Sequence, residues 1–177
     1  MSAAADAIDL SRELTDLAHR VVDANRAAGL RVAVAESCTG GLVSAALTDI
    51  AGASDVFEAA FVTYANEAKL EVLGVSLDVL ETFGAVSIAV AWAMARGALA
   101  KSHADVAVAI TGIAGPGGGS EKKPVGTVVF ARAVRDGDPN DVTADSRDFG
   151  DIGRSAIRHQ AALVALDLLL PSTAREG

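Results

Sequence analysis

Three side chains stand where their types and spacing would allow a serine nucleophile served by a lysine base: Ser37, Lys69 and Tyr64. Ser37 lies in the stretch AESCTGG (35–41). Residues 31–35 before it are an apolar, β-rich run that reads as a short buried strand. After it, positions 42, 43, 46, 47 and 50 are apolar at helical spacing. Ser37 is thus placed between the carboxyl end of a strand, where ligands bind in α/β folds, and a helix N-terminus, whose free N–H groups attract anions. Gly40 and Gly41 leave room for close approach of a ligand or a second backbone. A plain helix-capping role for Ser37 or Thr39 is the alternative. Lys69 belongs to the first turn of a helix expected from Asn66 to Leu73, where the dipole disfavours a positive charge. Burial would act in the same direction, and a lysine that sheds its proton can serve as general base to a serine. The neighbouring acid Glu67 opposes this, and a solvated surface lysine is the alternative. Tyr64, the single tyrosine, closes the preceding strand and could relay a proton or be a hydrogen-bonded core residue.

The stretch 112–119, GIAGPGGG, is dense in glycine and follows a third strand. No Gly-Lys-[Ser/Thr] follows, so it is not a Walker loop, and a strand rather than a helix comes next, so it is not a dinucleotide fingerprint. Its backbone N–H groups, at Gly112, Gly115 and Gly117 among others, could still face a phosphate or a carboxamide; a flexible hairpin is the alternative. Arg154 and Arg158, one helical turn apart, could clamp a phosphate or form a solvated face. His19, His103 and His159 all fall within or at the ends of helices, which disfavours a Ser-His-Asp triad. No His/Cys/Asp set has metal-ligand spacing, so no metal site is expected. Cys38 is the single cysteine, which excludes an internal disulfide.

The elements that must position these residues follow from pattern. The helices expected are 10–28 capped by Asp9, 42–50, 66–73 capped by Asn66, one opened by Ser76 and ended at Gly84, one from Ser87 to Ser102, and 155–170 stopped by Pro171. Strands are expected at 31–35, 56–64, 105–111, 125–134 and, as an edge, 142–149. This order predicts an α/β fold, a three-layer α/β/α sandwich with a mixed central sheet whose later connections are antiparallel. The chain reads as a single domain over 10–171, with flexible ends at 1–9 and 172–177. Of its 177 residues, 51% are apolar and 21% charged, as in soluble globular proteins. A net charge of −8 without a basic tract argues against nucleic acid or anionic membrane as partner. With no membrane-length apolar run and no leader pattern, a cytoplasmic location is expected.

Taken together, AESCTGG (35–41), FVTYANEAKLEVLGV (61–75), FGAVS (83–87), DVAVAITGIAGPGGG (105–119), KPVGTVVFA (123–131) and the late Gly-Asp, Arg and Ile-Arg-His-Gln run (150–160) resemble the CinA C-terminal domain family. Stand-alone members of that family are nicotinamide-nucleotide amidases. The resemblance covers about Leu10 to Leu170. It implies hydrolysis of nicotinamide mononucleotide to nicotinic acid mononucleotide and ammonia, in pyridine-nucleotide recycling, with no cofactor and in a homo-oligomer. On this resemblance Ser37 is the nucleophile, Lys69 and Tyr64 handle the proton, and Thr111 orients the lysine or the substrate. The N–H groups of Cys38 and Thr39 beside Gly40 hold the oxyanion; the 112–119 loop and Arg154, or else Arg158, hold the phosphate. Two other readings are a non-catalytic nucleotide-binding or regulatory module and an amidase for another small amide.

Overall fold

Strand residues of this chain alternate large and small apolar side chains, and the alternation sorts two helical layers. In β1 (Val32–Glu36), Val32 and Val34 face one side while Ala33 and Ala35 face the other. β3 (Val106–Gly112) repeats the pattern with Val106, Val108 and Ile110 against Ala107 and Ala109. The larger side chains meet α1 (Ser2–Ala28), α2 (Leu42–Thr48) and α6 (Arg154–Leu169), through Val21, Val22, Leu47, Ile157 and Leu166. The alanine side is covered by α3 (Asn66–Leu73), α4 (Leu77–Phe83) and α5 (Ile88–Ala100), which contribute Leu73, Leu80, Val90 and Met94. Alanine on that face lets a helix lie close to the sheet, and burial on both faces explains why these strands are continuously apolar.

The computed structural model describes residues 2–172. Its sheet has the order β2-β1-β3-β4-β5, with β2 at Phe57–Val62, β4 at Thr127–Val134 and β5 at Thr143–Asp148. β2, β1 and β3 are parallel, and β4 and β5 are antiparallel to their neighbours. The expected mixed three-layer architecture is the one observed.

Two helix starts differ from expectation. α1 begins at Ser2, so Asp9 is an interior residue rather than a cap; the intervening Ala-rich segment has high helix propensity. α3 is preceded by Ala65, with no side-chain cap, because Asn66 is its first residue and lines a cavity instead. Ser76 and Ser87 do cap α4 and α5, accepting from the N–H groups of Val79 and Val90. From residue 173 onward the expected C-terminal tail lies outside the described residues.

One contact sets the height of α3. Gly97, near the C-terminal end of α5, lies under the last turn of α3, and a Cβ there would come within 2.1 Å of the Leu73 carbonyl oxygen. Glycine costs a helix interior roughly 1 kcal/mol relative to alanine, and here no larger residue fits.

Candidate functional site

The carboxyl ends of β2, β1 and β3 lie side by side, so the residues just beyond them share one end of the sheet. The Ser37 N–H donates to the Ile110 carbonyl at 2.9 Å, extending the β1–β3 pairing by one residue, and the Thr63 N–H donates to the Glu36 carbonyl at 2.9 Å. Ser37, Thr63, Tyr64 and Thr111 are therefore delivered to one place by strand register alone.

α3 then brings Lys69 back over this end. Lys69 is 1% exposed, and its Nζ lies 3.0 Å from Ser37 Oγ, 2.8 Å from the Thr63 carbonyl oxygen and 3.1 Å from that of Tyr64. A neutral amine has two hydrogens and one lone pair. With both hydrogens donated to the carbonyls, the lone pair is left for the Ser37 hydroxyl proton. Burial lowers the Lys69 pKa from its ordinary 10.5, against a smaller opposing influence of Cys38. Among the described residues no carboxylate forms an ion pair with Nζ. Glu67, the acid expected to oppose deprotonation, is exposed and is not among the groups acting on Lys69.

Ser37 and Lys69 open into a cavity of ≈190 Å³, lined also by Cys38, Tyr64, Asn66, Ala85, Val86, Thr111, Gly112, Ala114 and Arg154. Thr111 Oγ1 donates to the Ala85 carbonyl at 2.9 Å rather than bonding Lys69 Nζ, whose partners are Ser37, Thr63 and Tyr64, and so ties down the 85–86 wall. Tyr64 is 59% exposed at the rim, which removes the core-tyrosine alternative, and it is not interposed between Ser37 and Lys69. Arg154 donates through Nη2 to the Tyr64 hydroxyl oxygen at 3.1 Å and through Nη1 to the Gly115 carbonyl at 2.7 Å. Its guanidinium thus links the rim to the glycine loop.

The expected glycine-loop residues separate. Gly112 is in the cavity wall, where a Cβ would crowd Cys38 Sγ at 3.1 Å and Val128 Cγ2 at 2.8 Å. Gly115, with φ +76°, packs against Val125 and reaches the site through Arg154. Gly117 is not brought to Ser37; it lines a second cavity of ≈610 Å³ with Pro116, Gly118, Asp148 and Asp151. Nor do Thr39 and Gly40 line the Ser37 cavity. Thr39 is fully buried and Gly40 is exposed on the turn. Burial pushes the Cys38 thiol up to about 11, so it stays protonated and packs as a small apolar group.

The largest departure concerns the helix N-terminus. Glu36, fully buried, points its carboxylate into α2. Oε2 accepts from the N–H of Gly41 at 2.9 Å and of Val43 at 3.2 Å; Oε1 accepts from the N–H of Ser44 at 2.9 Å and from the Ser44 hydroxyl. The Gly40 N–H donates to the Ser37 carbonyl, that of Leu42 to Thr39 and that of Ala45 to Gly41. The α2 terminus expected to attract an external anion is therefore occupied by the chain's own carboxylate. Between residues 38 and 45 only the N–H groups of Cys38 and Thr39 have no backbone or carboxylate acceptor among the described residues. The sequence signal for Glu36 was limited to an acid closing an apolar strand five to eight residues before a helix start; its burial and its donors are seen only in the structure.

Arg158 is likewise committed to the chain: Nε donates to the Cys38 carbonyl at 3.1 Å and Nη2 to the Thr39 carbonyl at 2.9 Å. Of the two arginines, Arg154 is the one in the cavity lining. No group of three or more His, Cys, Asp or Glu side chains that could hold a metal gathers among the described residues, and none of their helices is long and apolar enough to cross a membrane.

Residues 14–173 match the model of the CinA C-terminal domain. The chain is 50% identical over 159 residues to the nicotinamide-nucleotide amidohydrolase PncC of Enterobacter agglomerans, covering 90% of this chain and 94% of that protein. To the protein of the same name in Escherichia coli K12 it is 51% identical over 157 residues, covering 89% and 93%. The crystal structure of a competence/damage inducible protein, CihA, from Agrobacterium tumefaciens superposes with a TM-score of 0.86 at 48% identity, covering 93% of this chain and 96% of that one.

Proposed function

Since the chain belongs to the CinA C-terminal domain family, we propose that it is a nicotinamide-nucleotide amidase. It hydrolyses the carboxamide of nicotinamide mononucleotide to nicotinic acid mononucleotide and ammonia, using Ser37 as nucleophile. The observation that carries this reading is Lys69 Nζ, buried without a carboxylate partner and 3.0 Å from Ser37 Oγ. The names of the two amidohydrolases supply the substrate.

Ser37 Oγ attacks the carboxamide carbon as its proton passes to the Lys69 lone pair, with no relay through Tyr64. The carbonyl oxygen becomes an oxyanion, for which the Cys38 N–H is the candidate donor, since Cys38 lines the cavity and Thr39 does not. On collapse the C–N bond breaks and Lys69 returns its proton to the departing nitrogen, which leaves as ammonia. Water then adds to the ester carbon, giving a proton to Lys69, and as the C–Oγ bond breaks Lys69 hands that proton to Oγ, which frees the acid and restores both Ser37 and the neutral amine. The cavity takes the amide-bearing ring, while Arg154 at the rim meets the phosphate together with the 112–119 loop. Thr111 holds the wall against which the ring lies. The chemistry needs no cofactor. The same reading places the enzyme in the cytoplasm as a homo-oligomer, which fractionation and sizing chromatography would check.

The test is ammonia release from nicotinamide mononucleotide by the purified protein beside Ser37→Ala. Release by the wild type and none by a variant of equal melting temperature is the expected result. Silence from the folded wild type would favour a nucleotide-binding module or another amide, and equal rates would remove Ser37 from the mechanism.

A further inference from the structure

Arg158 holds the Cys38–Thr39 segment by its carbonyl side. A trans peptide carries its C=O and N–H in opposite directions. The Arg158 fork engages the Cys38 and Thr39 carbonyls at 3.1 and 2.9 Å, so the N–H groups of Thr39 and Gly40 point away from it. Gly40 turns its N–H back to the Ser37 carbonyl at 3.1 Å, and that carbonyl in turn directs the Cys38 N–H to the opposite side. Gly40, at φ +58°, lies beside the fork, and a Cβ there would stand in ordinary contact at 3.6 Å from Arg158 Nη2. On the far flank, Glu36 fixes Gly41, Val43 and Ser44. The turn that carries Ser37 is gripped by a cation on its carbonyl side and by an anion on its amide side.

We propose that Arg158 is a positioning residue for the nucleophile turn: by holding the Cys38 and Thr39 carbonyls it fixes the Cys38–Thr39 and Thr39–Gly40 peptides, and with them the setting of Ser37 and of the Cys38 N–H at the cavity, and it does not bind the substrate phosphate. This rests on the serine amidase reading above. An arginine suits the task because its planar guanidinium donates from two nitrogens held rigidly in one plane, Nε to Cys38 and Nη2 to Thr39, a fixed geometry that a single ammonium on a flexible stem does not reproduce. Removing an oxyanion donor typically costs two to three orders of magnitude in kcat; a donor left in place but free to swing costs less.

The experiment compares wild type with Arg158→Lys and Arg158→Met on nicotinamide mononucleotide and on its phosphate-free nucleoside, nicotinamide riboside. In parallel it measures the rate at which a fluorophosphonate labels Ser37. Positioning predicts a fall in kcat of roughly 10- to 100-fold on both substrates, unchanged KM for each, and slower labelling of Ser37 by a similar factor in protein that remains folded. A rise in KM confined to the phosphorylated substrate would overturn the proposal and make Arg158 a phosphate ligand. A lower melting temperature with unaltered kcat and labelling would overturn it as well, leaving only a structural contact. The two readings fail separately: a wild type that ignores the nucleotide while Ser37 labels quickly sinks the substrate assignment, and the labelling series still reports on Arg158.

Discussion

Replacing Glu36 by Gln keeps the size and shape of the side chain and changes only what its two terminal atoms can accept. In the wild type each carboxylate oxygen takes two donors, one pair from Gly41 and Val43 and the other from Ser44. Glutamine has one oxygen, so one pair keeps its acceptor and the other faces an NH₂ group, itself a donor. A hydrogen bond to a charged acceptor contributes about 1.5–3 kcal/mol net, and two are lost, giving a cost of about 3–6 kcal/mol. Loss of the anion at the positive end of α2 adds in the same direction. Domains of this size have about 5–15 kcal/mol in total, and each kcal/mol moves the midpoint by about 2–4 °C. Glu36→Gln should therefore melt roughly 10–20 °C below the wild type, and amidase activity at a temperature where it is still folded should drop as well. Thermal melts followed by circular dichroism, with ammonia release from the same samples, provide the assay. A melting temperature within about 3 °C of the wild type would refute the argument that this carboxylate holds the turn.

Lys69→Met should lower kcat about 10²- to 10⁴-fold, the usual contribution of a positioned base, with KM little altered; unchanged kcat would remove Lys69 from the proton path. Because burial lowers the Lys69 pKa from 10.5 and the base must be neutral, kcat/KM of the wild type should rise with pH and level off below pH 10.5. Linkage gives the same sign for stability. Between the folded and the unfolded lysine pKa the unfolded chain binds one more proton, so stability grows with pH across that window, and Lys69→Met should flatten it; denaturant midpoints against pH measure this. Gly97→Ala places a Cβ 2.1 Å from the Leu73 carbonyl. It should destabilise by about 1–3 kcal/mol and reduce kcat by displacing α3, whereas a neutral effect in melting and turnover would show that α3 has room to move.

The Ser37 turn was legible because two different periodicities meet there, an unbroken apolar run and then helical spacing, and only a strand-to-helix junction satisfies both. Lys69 was legible from its place in a first helical turn, though its distance from Ser37 depends on how close α3 lies to the sheet, which Gly97 governs from 28 positions away. Glu36 was not read as a site residue because an acid after a strand ordinarily faces water, and nothing local says that four donors will fold back on it. Arg154 and Arg158 could not be told apart, since both lie on one face of α6 a single turn apart and the register of that helix against the turn decides which reaches the cavity. The glycine loop read as one element, yet Gly112 and Gly117 serve different cavities once Arg154 holds the loop at Gly115.

The eight-residue α3 carries the amine proposed as the base, and its last turn rests on α5 at a side chain that is only hydrogen. A helix this short opens more readily than the sheet beneath it. Each opening returns Lys69 to water, where it regains its ordinary affinity for a proton, and a proton taken up there must be shed again before α3 closes over a neutral amine. Protonation thus acts as a latch on the open form. Warming should consequently silence the enzyme reversibly at temperatures where its core strands still resist hydrogen exchange, and alkaline buffer should postpone that silence.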